Sequence, residues 1–321
     1  MTSNGTTSIP SGLDRPLRVE RYALMMGAFN EERYIETTLR AVVAQTHLPV
    51  RWVIVDDCSS DNTPALVEKY ARDYPFISLH RMTKAHPRDL IAHVTAVNAA
   101  YDLLRHESFD CVGNLDADVS FEPSYFGRLL QEFDRDPKLG IAGGCLYEQQ
   151  RLGVWKRRSR SERSVPNAIQ MFRRDCYEGI GGYRALKYGA PDWYAEVHAR
   201  MIGWHTQSFP DLPAYHHRTT GAAGGILRNS FRGGLVAYTF GSHPLFEVLK
   251  SLRRIPSRPM VFGALYRIAG FVAGYLKREP RLVSPDFIQF LRSEQYSRMS
   301  TMIGDGLREC LPATIQGRAE R

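Results

Sequence analysis

Through its first half the chain alternates short apolar runs with stretches of helical period, and two of the apolar runs close on aspartates. Tyr22–Ala28 reads as an apolar strand. Asn30 is placed to cap the next helix, with Glu31 and Glu32 in its first turn, and Ile35, Leu39, Val42 and Val43 follow at helical spacing. Trp52–Asp56 is a second strand, running into Asp57. A helix capped at Asp61, Asn62 or Thr63 comes next, with Pro64 at an early position. Phe76–His80 reads as a third strand, Leu90–Leu104 as a helix with Ile91, Val94 and Val97 on one side, and Cys111–Leu115 as a fourth strand ending at Asp116. Strands and helices in alternation predict an α/β fold, with a doubly wound and mostly parallel sheet flanked by helices.

The second half is less regular. Pro123 opens a helix through Phe133, and Leu139–Leu146 reads as a strand with a weak point at Gly143-Gly144. Gln149–Arg163 is polar and basic, the composition of a mobile connection. A helix runs from Asp192 to Ile202 with Gly203 as its stop, and Gln207–His216 forms a strand whose approach is interrupted by proline. From Gly221 onward arginine, glycine and aromatic residues recur at helical spacing. The expected organisation is a disordered tail over 1–18, a catalytic domain over 19–220 and a basic helical extension over 221–321. The tail is rich in Ser, Thr and Gly and lacks the apolar core of a signal peptide.

Composition narrows the partners. A net charge of +8 over 321 residues implies an anionic partner: nucleotide phosphate, nucleic acid or an anionic membrane surface. No aromatic-interleaved basic motif or recognition helix stands out, which argues against nucleic acid. None of the five cysteines forms a CxxC pair, so neither a zinc site nor a disulfide framework is indicated, and a reducing, cytoplasmic setting is expected. The longest apolar stretch, Met260–Leu276, is interrupted by Arg267 and sits at the lower edge of bilayer-spanning length. Arg253, Arg254 and Arg258 precede it, and Lys277, Arg278 and Arg281 follow. Positive charge on both flanks disfavours crossing and favours lying on the anionic inner face of the cytoplasmic membrane. A buried core helix is the competing reading.

The candidate chemistry sits at the strand ends, where open α/β sheets place their ligands. Asp116 and Asp118, two positions apart beyond the fourth strand, can direct two carboxylates toward one ligand. One can meet a ribose hydroxyl while the other binds a hard cation that keeps open positions for phosphate. Asp-Ala-Asp alone is also an ordinary turn.

The surroundings sharpen this. Ala28-Phe29-Asn30-Glu31, Val55-Asp56-Asp57-Cys58-Ser59-Ser60-Asp61 and Asn114-Leu115-Asp116-Ala117-Asp118, followed by the helix from Asp192 to Gly203, together resemble family 2 glycosyltransferases of the GT-A fold. The resemblance covers Tyr22 to Arg218. It implies that Ala28, Phe29, Asn30, Glu31 and Asp57 surround the nucleobase, with Phe29 stacked on it, a contact worth about 1–3 kcal/mol. It further implies that Asp116 approaches the ribose, Asp118 binds Mn2+ or Mg2+, and His216 of the His216-His217 pair completes the metal site. Asp192 matches the family's catalytic base, while Pro191 replaces the glutamate customary before it.

Physically, a helix N-terminus favours ionised Asp192, whereas Glu196, one turn on, opposes it by repulsion and is the second candidate base. Lys84, His86 and Arg88 form a basic loop suited to a diphosphate, or simply a solvated loop. Trp193 and Tyr188 can stack on an acceptor sugar or fill the core. The resemblance implies an inverting transferase using a nucleotide-sugar, a UDP-sugar in the first place, and a glycan acceptor that can be polyprenyl-diphosphate-linked. Processive synthases carry Gln-x-x-Arg-Trp; here Gln170-Met171-Phe172-Arg173 is followed by Arg174, which favours transfer of a single sugar. A sugar-nucleotide pyrophosphorylase would need a Gly-rich basic loop after the first strand, and Gly27-Ala28-Phe29-Asn30-Glu31 is not one. A non-catalytic glycan- or membrane-binding protein on the same fold is the remaining alternative.

Overall fold

Burial of the apolar runs organises one mixed sheet. The computed structural model describes residues 19–83, 90–151, 153–157, 162–218, 225–253 and 260–310. Among these the order is β1 (Tyr22–Ala28), α1 (Ile35–Val43), β2 (Arg51–Asp56), α2 (Thr63–Asp73), β3 (Ile77–Arg81), α3 (Leu90–Leu104), β4 (Cys111–Asn114), β5 (Val119–Phe121), α4 (Tyr125–Arg135) and β6 (Leu139–Arg151). Then come β7 (Val154–Arg157), β8 (Met171–Arg173), α5 (Arg174–Gly179), α6 (Pro191–Met201), β9 (His205–His216), α7 (Ile226–Thr239), α8 (Pro244–Arg253), α9 (Met260–Leu276) and α10 (Pro285–Cys310).

The sheet order is β3-β2-β1-β4-β8-β6-β9-β5, with β7 paired to β6. β3, β2, β1, β4, β6 and β9 run one way, and β8, β5 and β7 the other. The mostly parallel sheet expected from the alternation is therefore present, with helices on both faces. Leu24, Met26, Trp52 and Ile54 point into a core with α1 and α4, while Ala23, Met25, Val53 and Val55 point into a second core with α3. Strands buried on both faces explain why they read as continuous apolar runs rather than alternating ones.

Several expectations are corrected. Asn30 does not cap α1: the helix starts at Ile35 with Tyr34 at the cap position, and Asn30 takes a left-handed φ of 53°. Its side chain instead accepts the Ser60 N–H at 2.8 Å, tying the β1 loop to the β2 loop. Asp61 serves α2 by accepting the Thr63 N–H at 3.0 Å. Ile91 is exposed, unlike Val94 and Val97. β6 runs on through Gly143-Gly144, but its pairing with β9 shifts register between Gly144 and Cys145, where the weak point was expected. A Cβ there would meet Ile169 O at 2.7 Å and Leu212 O at 2.0 Å, so glycine is what lets neighbouring backbone approach. Within Gln149–Arg163, residues 149–151 continue β6 and turn back as β7; 158–161 lie outside the described residues.

The C-terminal helices pack onto α6. Tyr194 and Val197 of α6 pack with Phe240, Phe287 and Leu291, and Tyr194 stacks on Phe287 at 5.2 Å. α9 is half-buried rather than a core helix. One side lies against α7 so closely that a Cβ on Gly270 would meet Phe231 O at 2.0 Å, while Phe262, Leu265 and Leu276 face water. No described helix is long and apolar enough to cross a membrane.

Candidate active site

Strand register builds the site. β4 ends at Asn114, and the chain turns through Asp116 and Asp118 into β5, which pairs antiparallel with β9 so that Val119 faces His216. This places the His216 imidazole against Asp118, Nε2 to Oδ1 at 2.9 Å. His217 points to the opposite face, where Nε2 meets Ser120 Oγ at 2.7 Å and the ring lies edge-on to Trp155. Strand alternation thus separates the two histidines. Ligand atoms of Asp116, Asp118 and His216 all lie within 4.8 Å of one another.

Two further groups converge here. Arg218 contacts Asp118 Oδ2 with Nε at 2.7 Å and Glu31 Oε1 with Nη2 at 2.9 Å. His93 of α3 stands 3.9 Å from Asp116. Three carboxylates (Glu31, Asp116, Asp118) surround one guanidinium, an excess of two negative charges when all three are ionised and the imidazoles are neutral. That is the charge of one divalent cation. Burial pushes the Glu31 carboxyl up despite Arg218, and Asp118 and Asp116 add to the shift. Asp116 is raised by burial and by Asp118 against the pull of His93. Asp118 moves the other way: burial opposes its ionisation, but the His216 and Arg218 contacts outweigh it. Both Asp118 oxygens and Glu31 Oε2 are buried acceptors without a well-aligned hydrogen bond among the described residues. Two carboxylates and an imidazole brought this close together are a donor set that fits a Mn2+- or Mg2+-type ion.

Beside this cluster the β1 and β2 loops form one wall. Asn30 N–H donates to Ser59 Oγ at 2.9 Å, Glu31 N–H to Thr63 Oγ1 at 2.7 Å and Glu32 N–H to Asp61 Oδ2 at 3.1 Å. Asp57 N–H donates to Ala28 O at 2.9 Å. Asp57 is 8% exposed, and its Oδ1 is a buried acceptor with no hydrogen bond among the described residues. A buried carboxylate oxygen in that condition wants a donor. Phe29 is half-buried at the end of β1. Its neighbour Asp56 is structural, fully buried and accepting the Ser59 N–H. Lys84, His86 and Arg88 lie outside the described residues.

Asp192 occupies the first turn of α6, entered through Gly189 and Ala190, both left-handed with φ of 78° and 67°. A non-glycine residue there marks a locally constrained entry. Asp192 Oδ1 accepts the Trp193 N–H at 2.9 Å. The buried Tyr183 hydroxyl, donating to Gln170 Oε1, is raised by burial first and then by neighbours that include Asp192, Asp116 and Glu196, so it stands within the field of all three. Glu196 itself is buried and accepts the Val165 N–H at 2.6 Å. Burial, then Asp192, pushes it up to about 8. Trp193 stacks on Phe240 at 4.8 Å as core filling. Arg218 and His93 were not singled out from the sequence. Arg218 follows His216 by two residues, the spacing that keeps a strand face, and that was the one available signal.

The family profile described as "Glycosyl transferase family 2" matches residues 24–190. The poly-beta-1,6-N-acetyl-D-glucosamine synthase of Staphylococcus aureus is 30% identical over 126 residues, 39% of this chain and 28% of that protein. The Staphylococcus epidermidis enzyme of that name is 24% identical over 127 residues, 40% of this chain and 29% of that protein. The chain thus aligns with under a third of the length of these curated relatives. Among solved structures, a mannosyltransferase from Pyrobaculum calidifontis in complex with GDP-Man and Mn2+ superposes with a TM-score of 0.55 at 17% identity, covering 94% of this chain and 84% of that one. Staphylococcus aureus TarS 1-349 with UDP-GlcNAc superposes at 0.53 and 16% identity, covering 84% and 79%. The profile match over more than half of the sequence, on a sheet of matching fold, shows that the chain belongs to glycosyl transferase family 2.

Proposed function

We propose that the chain is an inverting, metal-dependent glycosyltransferase that moves one sugar from a nucleotide-diphospho-sugar to a glycan hydroxyl in cell-surface polysaccharide synthesis. The observation that carries the reading is the convergence of Asp116, Asp118 and His216 within 4.8 Å, beside the unpartnered Asp57 oxygen. Asp118 and His216 hold a divalent cation, which when bound neutralises charge on the departing diphosphate. Asp57 accepts the base N–H, Phe29 stacks on the ring, and Asp116 faces the ribose. A lone carboxylate acceptor suits a base with a ring N–H, uracil or guanine rather than adenine or cytosine, and the family resemblance favours a UDP-sugar. The UDP-GlcNAc held by the TarS structure supports that choice, as the GDP-Man and Mn2+ of the mannosyltransferase support a metal-bound nucleotide-sugar.

Asp192 takes the acceptor proton as the hydroxyl oxygen attacks the anomeric carbon from the face opposite the leaving diphosphate, so configuration inverts without a covalent enzyme intermediate. Glu196, engaged with Val165 and protonated near neutrality, supports α6 rather than serving as base. The acceptor is a glycan, polyprenyl-diphosphate-linked, reached at the inner face of the cytoplasmic membrane; the basic helical region supports this placement. A thermal-shift screen of nucleotide-sugars with Mn2+ tests the donor. UDP-sugars raise the melting temperature only with the cation present; no stabilisation by any nucleotide-sugar contradicts the reading.

A further inference from the structure

The positive charge of this chain is concentrated in one segment. Between Ile226 and Arg278 nine lysines and arginines stand against one acid, Glu247, and the remainder of the chain is charge-balanced. That acid is buried. Glu247 Oε2 accepts from Arg267 Nε at 3.1 Å and Nη2 at 2.9 Å, so the one cation inside the apolar run of α9 is turned inward and neutralised. The other side of α9 is then apolar and in water: Val261, Leu265, Val272 and Leu276 recur at i, i+4, i+11 and i+15, with Phe262 beside them 65% exposed. On α8, Leu245, Val248 and Leu252 form a second exposed stripe at i, i+3 and i+7. Exposed at the helix ends are Arg253, Lys277 and Arg278. Scattered exposed leucines are ordinary, but two neighbouring helices each showing an acid-free apolar stripe make a patch.

We propose that the exposed faces of α8 and α9 dock on an anionic lipid bilayer, lying in the plane of the interface with the aliphatic stripes in the acyl boundary and the flanking cations among headgroup phosphates. Charge complementarity selects this occupant: a second copy of the chain would set one strongly basic segment against another. Length selects the orientation, because 17 residues of helix reach about 25 Å, short of the ~30 Å hydrocarbon core. A strongly apolar face bordered by cations is the composition of an in-plane helix. The proposal deepens the membrane placement above and is independent of the transfer chemistry, so vesicle binding and donor binding are scored separately.

The test is co-flotation of the full chain with vesicles of phosphatidylcholine alone and with added phosphatidylglycerol. Partition is expected onto the anionic vesicles, weakening as salt is raised. Phe262→Glu with Leu265→Glu lowers it more than about tenfold. Arg253→Ala with Lys277→Ala lowers it roughly fivefold per charge on anionic vesicles only. Both variants keep the UDP-sugar thermal shift of the parent, which reads the donor site by itself. Equal partition onto both vesicle types, no partition, or sedimentation as an oligomer that the double Glu variant disperses would overturn the proposal.

Discussion

Two buried ionic groups, one at the strand ends and one between α8 and α9, handle the same physical problem in opposite ways. Glu247 and Arg267 form a pair, side chains 3% and 10% exposed, in which the guanidinium offers two donors to Oε2, and Lys250 Nζ stands 3.8 Å from Oε1. A carboxylate so compensated by cations is structural: it fixes how two helices meet. Around Asp118, three carboxylates share one arginine, two of them resist ionisation, and buried oxygens remain without aligned donors. A fold has no use for that imbalance by itself. Buried charge that is balanced reports architecture, and buried charge left in deficit of a cation reports a ligand.

The contrast can be broken from either side. The largest effect is expected at the site: Asp192→Asn lowers transfer about 100- to 10,000-fold with an unchanged melting temperature, measured by UDP release. A variant that unfolds, or keeps its rate, would put Asp192 on the structural side. Next, Arg267→Met removes the two donors to Glu247 Oε2, leaves Lys250 at 3.8 Å and costs up to about 3–5 kcal/mol in denaturant unfolding, whereas Arg267→Met with Glu247→Leu returns stability to the parent level. If the double variant stays unstable, the pair does more than orient helices. Asp57→Ala weakens nucleotide binding by about 1–3 kcal/mol in calorimetry, with less effect on a nucleotide whose base lacks the ring N–H. A pH profile separates Glu196 from catalysis. Its folded pKa of about 8 lies above the ordinary 4.5, so its contribution to stability is complete below pH 4.5 and declines as pH rises toward 8. Glu196→Gln keeps an acceptor for Val165 and therefore gains stability relative to the parent across that window, read as a melting-temperature profile.

How much was legible in the sequence follows from how local each signal is. β1 and α3 match their expected bounds and β2 and β4 come within a residue, because apolar runs and helical periodicity are local patterns. α9 matches for the same reason, and its apolar composition hid which side is buried; only packing against α7 and the partner of Arg267 decide that. Asn30 misled because an Asn before acidic residues looks like a cap, while its left-handed backbone joins two loops. Glu31, expected near the nucleobase, turns its carboxylate to Arg218, a pairing 187 residues apart that no local pattern carries. His93 beside Asp116 is likewise a contact between separate elements that no local pattern carries, whereas the meeting of Asp116, Asp118 and His216 was implied by the family resemblance.

The central claim, that the charge deficit around Asp118 is filled by a divalent cation that joins a nucleotide diphosphate to the protein, is tested most directly by calorimetric titration of UDP with and without Mn2+. UDP should bind the parent chain only with Mn2+ present, and Asp118→Asn, still folded, should abolish the dependence on the cation together with the binding. UDP binding of equal strength with and without Mn2+, unchanged in Asp118→Asn, would contradict the account.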